Sequence, residues 1–337
     1  MRVKKTKGPE AADELTPGLR RYLYFTATMT GAAIMIVQIL GAKMMAPYLG
    51  TSHFVWTAQI AVTMVALATG YYAGGRLADY SPRLGRLYGG IVVAALYLAG
   101  TILVIGPVAY GCLRFKLAVG SLLASMFLFF VPLSLLAMVG PFFVRVVTRN
   151  VSGVGGNMGR LTAIGTLGSF AGTLLIGYVL IPFLPNAFTM FLTSALLFAV
   201  AGGYFAVWGR KPGVLAPVTI AMLIGLSVGL LGVRASTLPE MRDGEELYRA
   251  NSNFGMLQVV AAADNGYLYY LNDYLVQNTY DPVQKQSVSM FTYLLEELAE
   301  VYTPEIRSAL CVGLGVGIVP MRLTARGVRW DLVEINP

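Results

Sequence analysis

The sequence predicts an α-helical membrane protein of about seven transmembrane helices, followed by a small β domain and by the first βαβ part of a nucleotide-binding α/β fold. Three observations predict it. Long apolar runs recur through residues 23–233. The charge changes sign after them: residues 1–233 hold 17 Lys and Arg against 4 Asp and Glu, whereas residues 234–337 hold 8 against 13. The chain then closes on "ALCVGLGVGIVPMRLTARGVRWDLVEINP", which reads as strand, glycine turn, helix, strand and acid.

Composition excludes an ordinary soluble protein. Hydrophobic residues make up 56% and charged residues 12%, about half the ~25% charged fraction of soluble domains. After Glu14 the only acid before residue 234 is Asp79, so the positive charge of this half is loop charge at a lipid surface. No interleaving of aromatic and basic residues points to nucleic acid. Cys112 and Cys311 give no disulfide framework. The stretch from Met1 to Leu23 is polar and charged, unlike a cleaved leader, and the first apolar run is long enough to span and stay.

A hydrocarbon core of ~30 Å needs about 20 apolar residues at 1.5 Å rise each. Seven runs meet this: Leu23–Tyr48, Phe54–Gly75, Tyr88–Gly111, Leu117–Val139, Leu161–Phe183, Ala187–Trp208 and Val214–Val233. Basic residues collect in the N-terminal tail (Arg2, Lys4, Lys5, Lys7, Arg20, Arg21) and in alternate loops: Arg76, Arg83 and Arg86, then Arg145, Arg149 and Arg160, then Arg210 and Lys211. The other loops hold Lys43, Arg114 and Lys116. The expectation is a multi-pass protein of an inner or plasma membrane of bacterial type, with the N-terminus set in the cytoplasm by the positive-inside rule; an odd span count sets residues 234–337 on the opposite side, whereas a cytoplasmic cofactor would require one span more or fewer, so the side of the C-terminal module stays open.

Gly165, Gly168 and Gly172 fall three and four apart on one helix face, which predicts close packing against another helix, since small residues let backbones approach in lipid. "GGRLADYSPRLGR", residues 74–86, resembles the loop between the second and third helices of major facilitator transporters. The spans lack the buried acids and bases that mark ion coupling. Lys43 and His53, near span ends, read as interfacial, and one histidine supplies no multi-histidine metal site.

Past Val233 the periodicity changes. "FGMLQVVAA" and "GYLYYLNDYLVQNTY" read as β-prone runs broken by "DNG", a hairpin signal favouring positive φ at both turn residues. Ser287–Tyr302 reads as an amphipathic helix through Phe291, Leu294, Leu295 and Leu298, ending near Pro304. Ala309–Val312 reads as a buried strand, followed by a helix near Val319–Arg326 with Pro320 in its first turn. Gly313, Gly315 and Gly317 let the backbone turn tightly and approach a nucleotide. Glu334, at the tip of the second strand, is placed to accept hydrogen bonds from ribose hydroxyls.

"NSNFGMLQVV", "YLYYLNDYLVQNTYDP", "SVSMFTYLLEELA" and the closing segment, in that order behind seven spans, resemble the membrane-bound, spermidine-synthase-like proteins that join a transporter-like membrane domain to a polyamine aminopropyltransferase module. The resemblance implies a basic tail (1–22), a membrane domain (23–233), a small β-hairpin domain with a helix (234–304) and the start of a Rossmann-like methyltransferase/spermidine synthase fold (305–337). It implies transfer of an aminopropyl group from decarboxylated S-adenosylmethionine, a co-substrate, to a polyamine. Gln277 then matches the residue touching the nucleoside donor, Glu334 the one holding its ribose, and Asp273 and Tyr293 the substrate-side positions, with Phe291 as the unshifted alternative to Tyr293. Tyr274 replaces a glycine after Asp273, and two further departures weaken polyamine recognition more: Val316 stands where the family has the aspartate that holds the donor amine, and Phe291 stands where it has the substrate-side tyrosine unless Tyr293 takes that place.

The family's catalytic aspartates fall beyond Pro337, so the expectation is a C-terminally incomplete module with no catalytic residue in this chain and no transferase activity of its own. Three accounts stand open: the chain is a piece of a longer enzyme, a homo-oligomer or a second chain completes the domain, or the remnant has lost catalysis. The competing expectation is a non-catalytic membrane scaffold or transporter-derived protein whose C-terminal module docks a partner.

Overall fold

The structure, a computed structural model, describes residues 15–148, 153–210, 212–237, 244–252, 255–273 and 275–335. Arg2, Lys4, Lys5, Lys7, Arg149, Lys211, Tyr274 and Pro337 lie outside the described residues.

Each apolar run forms one long helix: α1 (Pro17–Leu49), α2 (His53–Tyr80), α3 (Leu84–Cys112), α4 (Leu117–Val147), α5 (Val154–Phe183), α6 (Asn186–Val207) and α7 (Pro212–Thr237). These seven are long and apolar enough to cross a membrane. Most overshoot the apolar run because capping, not hydropathy, stops a helix. Thr16 accepts from Leu19 N at 3.3 Å ahead of Pro17, a side-chain cap followed by a proline whose missing N–H costs nothing there. Gly50, at φ +79°, ends α1. Near its C-terminal end α5 widens into a π turn at Ile176–Leu180, just before Pro182, which has no N–H to continue the ladder.

The expected glycine face is the contact between α1 and α5. A Cβ on Gly168 would sit 2.2 Å from Thr28 O, and one on Gly172 2.6 Å from Ala32 O. The helix axes approach closely because nothing projects there, which is how association is won in lipid. One polar contact inside the bundle is made between helices: Tyr88, fully buried, shares a 2.8 Å hydrogen bond with Thr26 and stacks on Tyr204 at 3.9 Å, whereas Gln59, Ser134 and Thr189 keep buried side-chain atoms without a partner among the described residues.

Asp79 at the end of α2 meets Arg145 near the end of α4 at 3.3 Å, so the second and fourth loops share one end of the bundle. The polar module occupies the other end, where α1 finishes and α6 begins, with Lys43 against Asp273.

That module begins with an antiparallel meander, β1 (Gly244–Ser252), β2 (Gly255–Ala262), β3 (Leu268–Asn272), β4 (Leu275–Asp281) and β5 (Gln286–Ser287), paired in sequence order. Two details correct the sequence reading. The "DNG" turn uses a positive φ at Gly266 alone, while Asn265 Oδ1 accepts from Tyr267 N at 2.9 Å: the asparagine serves by its side chain. β1 carries no alternation that announces a strand and is held by pairing with β2.

Then come α8 (Met290–Tyr302), β6 (Ser308–Val312), α9 (Ile318–Thr324) and β7 (Arg329–Val333), with β6 and β7 parallel. The helix α8 starts later than expected because Ser287 is taken by β5 and Ser289 precedes the first turn. Its apolar stripe is not packed into a core: Leu294, Leu295 and Leu298 are exposed, while Thr292 and Glu296 are buried. β6 is likewise not the buried strand expected, since Leu310 and Val312 are 63% and 77% exposed. A two-stranded sheet has no third strand or second helix layer to cover that face.

Candidate functional site

A cleft of about 580 Å³ opens between the meander and the β6–α9–β7 unit. Its wall includes Gln277, Gly313, Gly315, Gly317 and Glu334, so five residues drawn from two sequence segments meet in one place.

Backbone geometry makes the glycine side. Gly313, Gly315 and Gly317 all adopt positive φ, at +85°, +55° and +69°, a region that L side chains rarely occupy. Gly313 N donates to Val333 O at 2.8 Å, which ties the loop to the end of β7. Glu334 continues that tie: its Oε2 accepts from Leu314 N at 2.6 Å and its Oε1 from Ile335 N at 2.9 Å.

A β-bulge makes the opposite side. Tyr270 pairs with Asn278 and Leu271 with Val276, leaving Gln277 as the extra residue of β4. Regular alternation would send Gln277 and Asn278 to opposite faces; the bulge lets both line the cleft. Asn278, buried, accepts from Ser287 Oγ at 2.9 Å through Oδ1.

The remaining wall is largely aliphatic, with aromatic rings set into it. Tyr270, Phe291 and Trp330 line it. Burial pushes the Tyr270 phenol above its usual range, and the Glu334 carboxylate adds to the rise. Asn272 and Trp330 also line the cleft; Trp330 Nε1 is buried without a hydrogen-bond partner among the described residues, and so is Asn272 Oδ1, which is set against Gly255. No Lys, Arg or His lines the cleft among the described residues, and Glu334 is its only carboxylate.

Two expected site residues stand elsewhere. Asp273, at φ +49° in the β3–β4 turn, accepts from Met256 N at 3.1 Å and from Lys43 Nζ at 2.5 Å, facing a small cavity at the bundle surface instead of the cleft. Its hairpin turn points it at the membrane helix. Tyr293 donates to Ser287 O at 2.7 Å and lies under the Arg322 guanidinium, 4.8 Å from its ring centroid. The cleft position belongs to Phe291, which presents no hydroxyl.

Sequence reading missed Tyr270, Asn272, Asn278 and Trp330, whose roles depend on strand register. It also missed what fixes α9 against α8. Glu296, buried, approaches Arg322 and Arg326 at 2.9 Å each, and Glu300 also meets Arg326. The spacing 296/300 puts both acids on one face of α8, while Arg322 stands on α9 and Arg326 in the turn just past its end.

Among the described residues no three His, Cys, Asp or Glu gather where one ion could be held. Comparison of the chain with protein-family models, with curated proteins and with solved structures finds no match.

Proposed function

We propose that this is a membrane-held binding module for a nucleoside-type ligand of the S-adenosylmethionine class, with aminopropyl transfer as the activity its resemblance implies. The observation that carries the reading is the meeting of Gln277, the three positive-φ glycines and Glu334 in one cleft. The volume falls in the range of about 300–1,000 Å³ typical of small-ligand sites. The unpartnered Trp330 Nε1 in the lining fits a ligand that accepts, as a nucleobase does.

Electrostatics narrows the class. A phosphorylated nucleotide needs a countercharge, and here the loop N–H of Leu314 is already taken by a carboxylate. Glu334 would repel phosphate and attract a sulfonium or amine, because charge-assisted contacts are the strong ones. A neutral or cationic nucleoside therefore fits better than a nucleotide. In transfer chemistry the bound donor would supply an electrophilic methylene beside its sulfonium; the residues of this chain would position it, with Glu334 on the ribose and Gln277 on the nucleoside. Polyamine selection has weak support, because Asp273 is engaged by Lys43 and Phe291 has no hydroxyl.

A second reading, a docking scaffold, is favoured by apolar side chains left open on the small sheet, where Leu310, Val312 and Val333 on one face and Leu332 on the other are each at least half exposed. Calorimetry on the full chain separates the two. Decarboxylated S-adenosylmethionine or methylthioadenosine should bind, and Glu334→Ala should weaken binding at least about tenfold, near 1.4 kcal/mol. Absence of binding to either compound would leave the scaffold reading.

A further inference from the structure

A second cleft lies within the bundle and takes no part in the site above. It measures about 440 Å³ and sits between α1, α3, α6 and α7, at the end nearer the polar module. Two prolines shape it. Pro47 in α1 and Pro107 in α3 both line the opening, and each lacks the N–H that would hold the carbonyl four residues earlier, Lys43 and Leu103 respectively, so the helical hydrogen-bond ladder is interrupted on both sides of the cleft. A T-shaped pair, Tyr48 on Tyr110 at 5.1 Å, forms one wall. Leu103 and Tyr110, 41% and 58% exposed, form the outer rim.

On helices of membrane-spanning length that rim faces lipid, so the occupant comes from the bilayer. The far end of the cleft is polar. Asn186 lines it and also lines the small cavity that holds Lys43 and Asp273; Ser236 lines the cleft beside it. An apolar slot that opens sideways and leads to a lysine matches an amphiphile with an anionic head.

We propose that this cleft binds one acyl chain of an anionic phospholipid, whose phosphate reaches Lys43 and competes with Asp273 for it. The phosphate is a stronger, multidentate acceptor than one carboxylate oxygen, and Asn186 stands within the same cavity to donate to it. A zwitterionic lipid carries its own ammonium and gains less from Lys43. Lipid composition would thereby set how firmly the polar module is held to the bundle.

The test uses the purified full chain with phosphatidylglycerol carrying a photoreactive acyl chain, and the phosphatidylcholine probe with the same chain, followed by mapping of the labelled peptides. The phosphatidylglycerol label should concentrate on residues 44–48, 102–110 and 232–236. Ala235→Trp and Leu103→Trp, both on the exposed side of the cleft, should lower labelling there at least about fivefold, while labelling elsewhere and thermal stability stay the same. Lys43→Gln should reduce the phosphatidylglycerol preference to that of phosphatidylcholine. Even labelling along all spans, equal yields from the two probes in the unaltered chain, or unchanged labelling in a folded tryptophan variant would overturn the proposal.

Discussion

Lys43 Nζ, in the last two turns of α1, donates to Asp273 Oδ2 in the β3–β4 turn at 2.5 Å. Both side chains are about four-fifths buried, at 23% and 21% exposure. The pair joins bundle to module across 230 positions of sequence, and Asp273 also holds Met256 N, so the hairpin that presents Tyr270, Asn272 and Gln277 to the cleft is anchored on the membrane side.

Breaking that anchor should loosen the hairpin. Lys43→Ala or Asp273→Asn is expected to raise hydrogen exchange in β3 and β4 of the full chain, and a double-mutant cycle should return a coupling of about 1 kcal/mol. Strictly additive single effects would show that the contact carries no coupling.

Glycine at the α1–α5 crossing admits no side chain. Gly168→Ala should lower thermal stability by about 1–3 kcal/mol, because the new methyl meets the Thr28 carbonyl and the backbone must move. Gly159→Ala, in the same helix with open space around it, serves as the control and should be neutral or slightly stabilising. Equal losses from both would mean that the helices do not cross there.

The α8–α9 clamp should govern the glycine loop. Glu296→Ala removes the carboxylate shared by Arg322 and Arg326, and a cost of about 2 kcal/mol is expected from losing charge-assisted contacts of a buried acid. Exchange of the β6 and β7 amides reports it. Glu305→Ala, whose partner Arg307 is exposed, should change little.

Acid should weaken the β1–β2 pairing. Hydrogen bonds from Arg249, with a further one from Gln258, hold the Glu246 carboxyl below its ordinary value of 4.5. The folded chain therefore keeps Glu246 ionised where the unfolded chain has bound a proton. This contribution is complete above the ordinary value and is lost as pH falls through the lowered one. Exchange rates of β1 and β2 amides across that acid range should rise more steeply in the unaltered chain than in Glu246→Gln.

The sequence by itself determined the seven helices, because a span requires only a local run of apolar residues and each helix satisfies its own backbone. It also determined the α1–α5 glycine face and the strand–glycine turn–helix–strand order, since helical spacing and positive φ are properties of neighbouring residues. The meeting of Gln277 with Gly313 and Glu334 was anticipated only through family resemblance. What places Gln277 there is a bulge, and a bulge is a mismatch between two strands that neither strand announces. Tertiary structure alone decided where the charges go. Asp273 turned to Lys43 and not to the cleft, and Glu296 was buried against the grain of an amphipathic helix, because the partners that offset desolvation stand on other elements and become near only when the chain is folded.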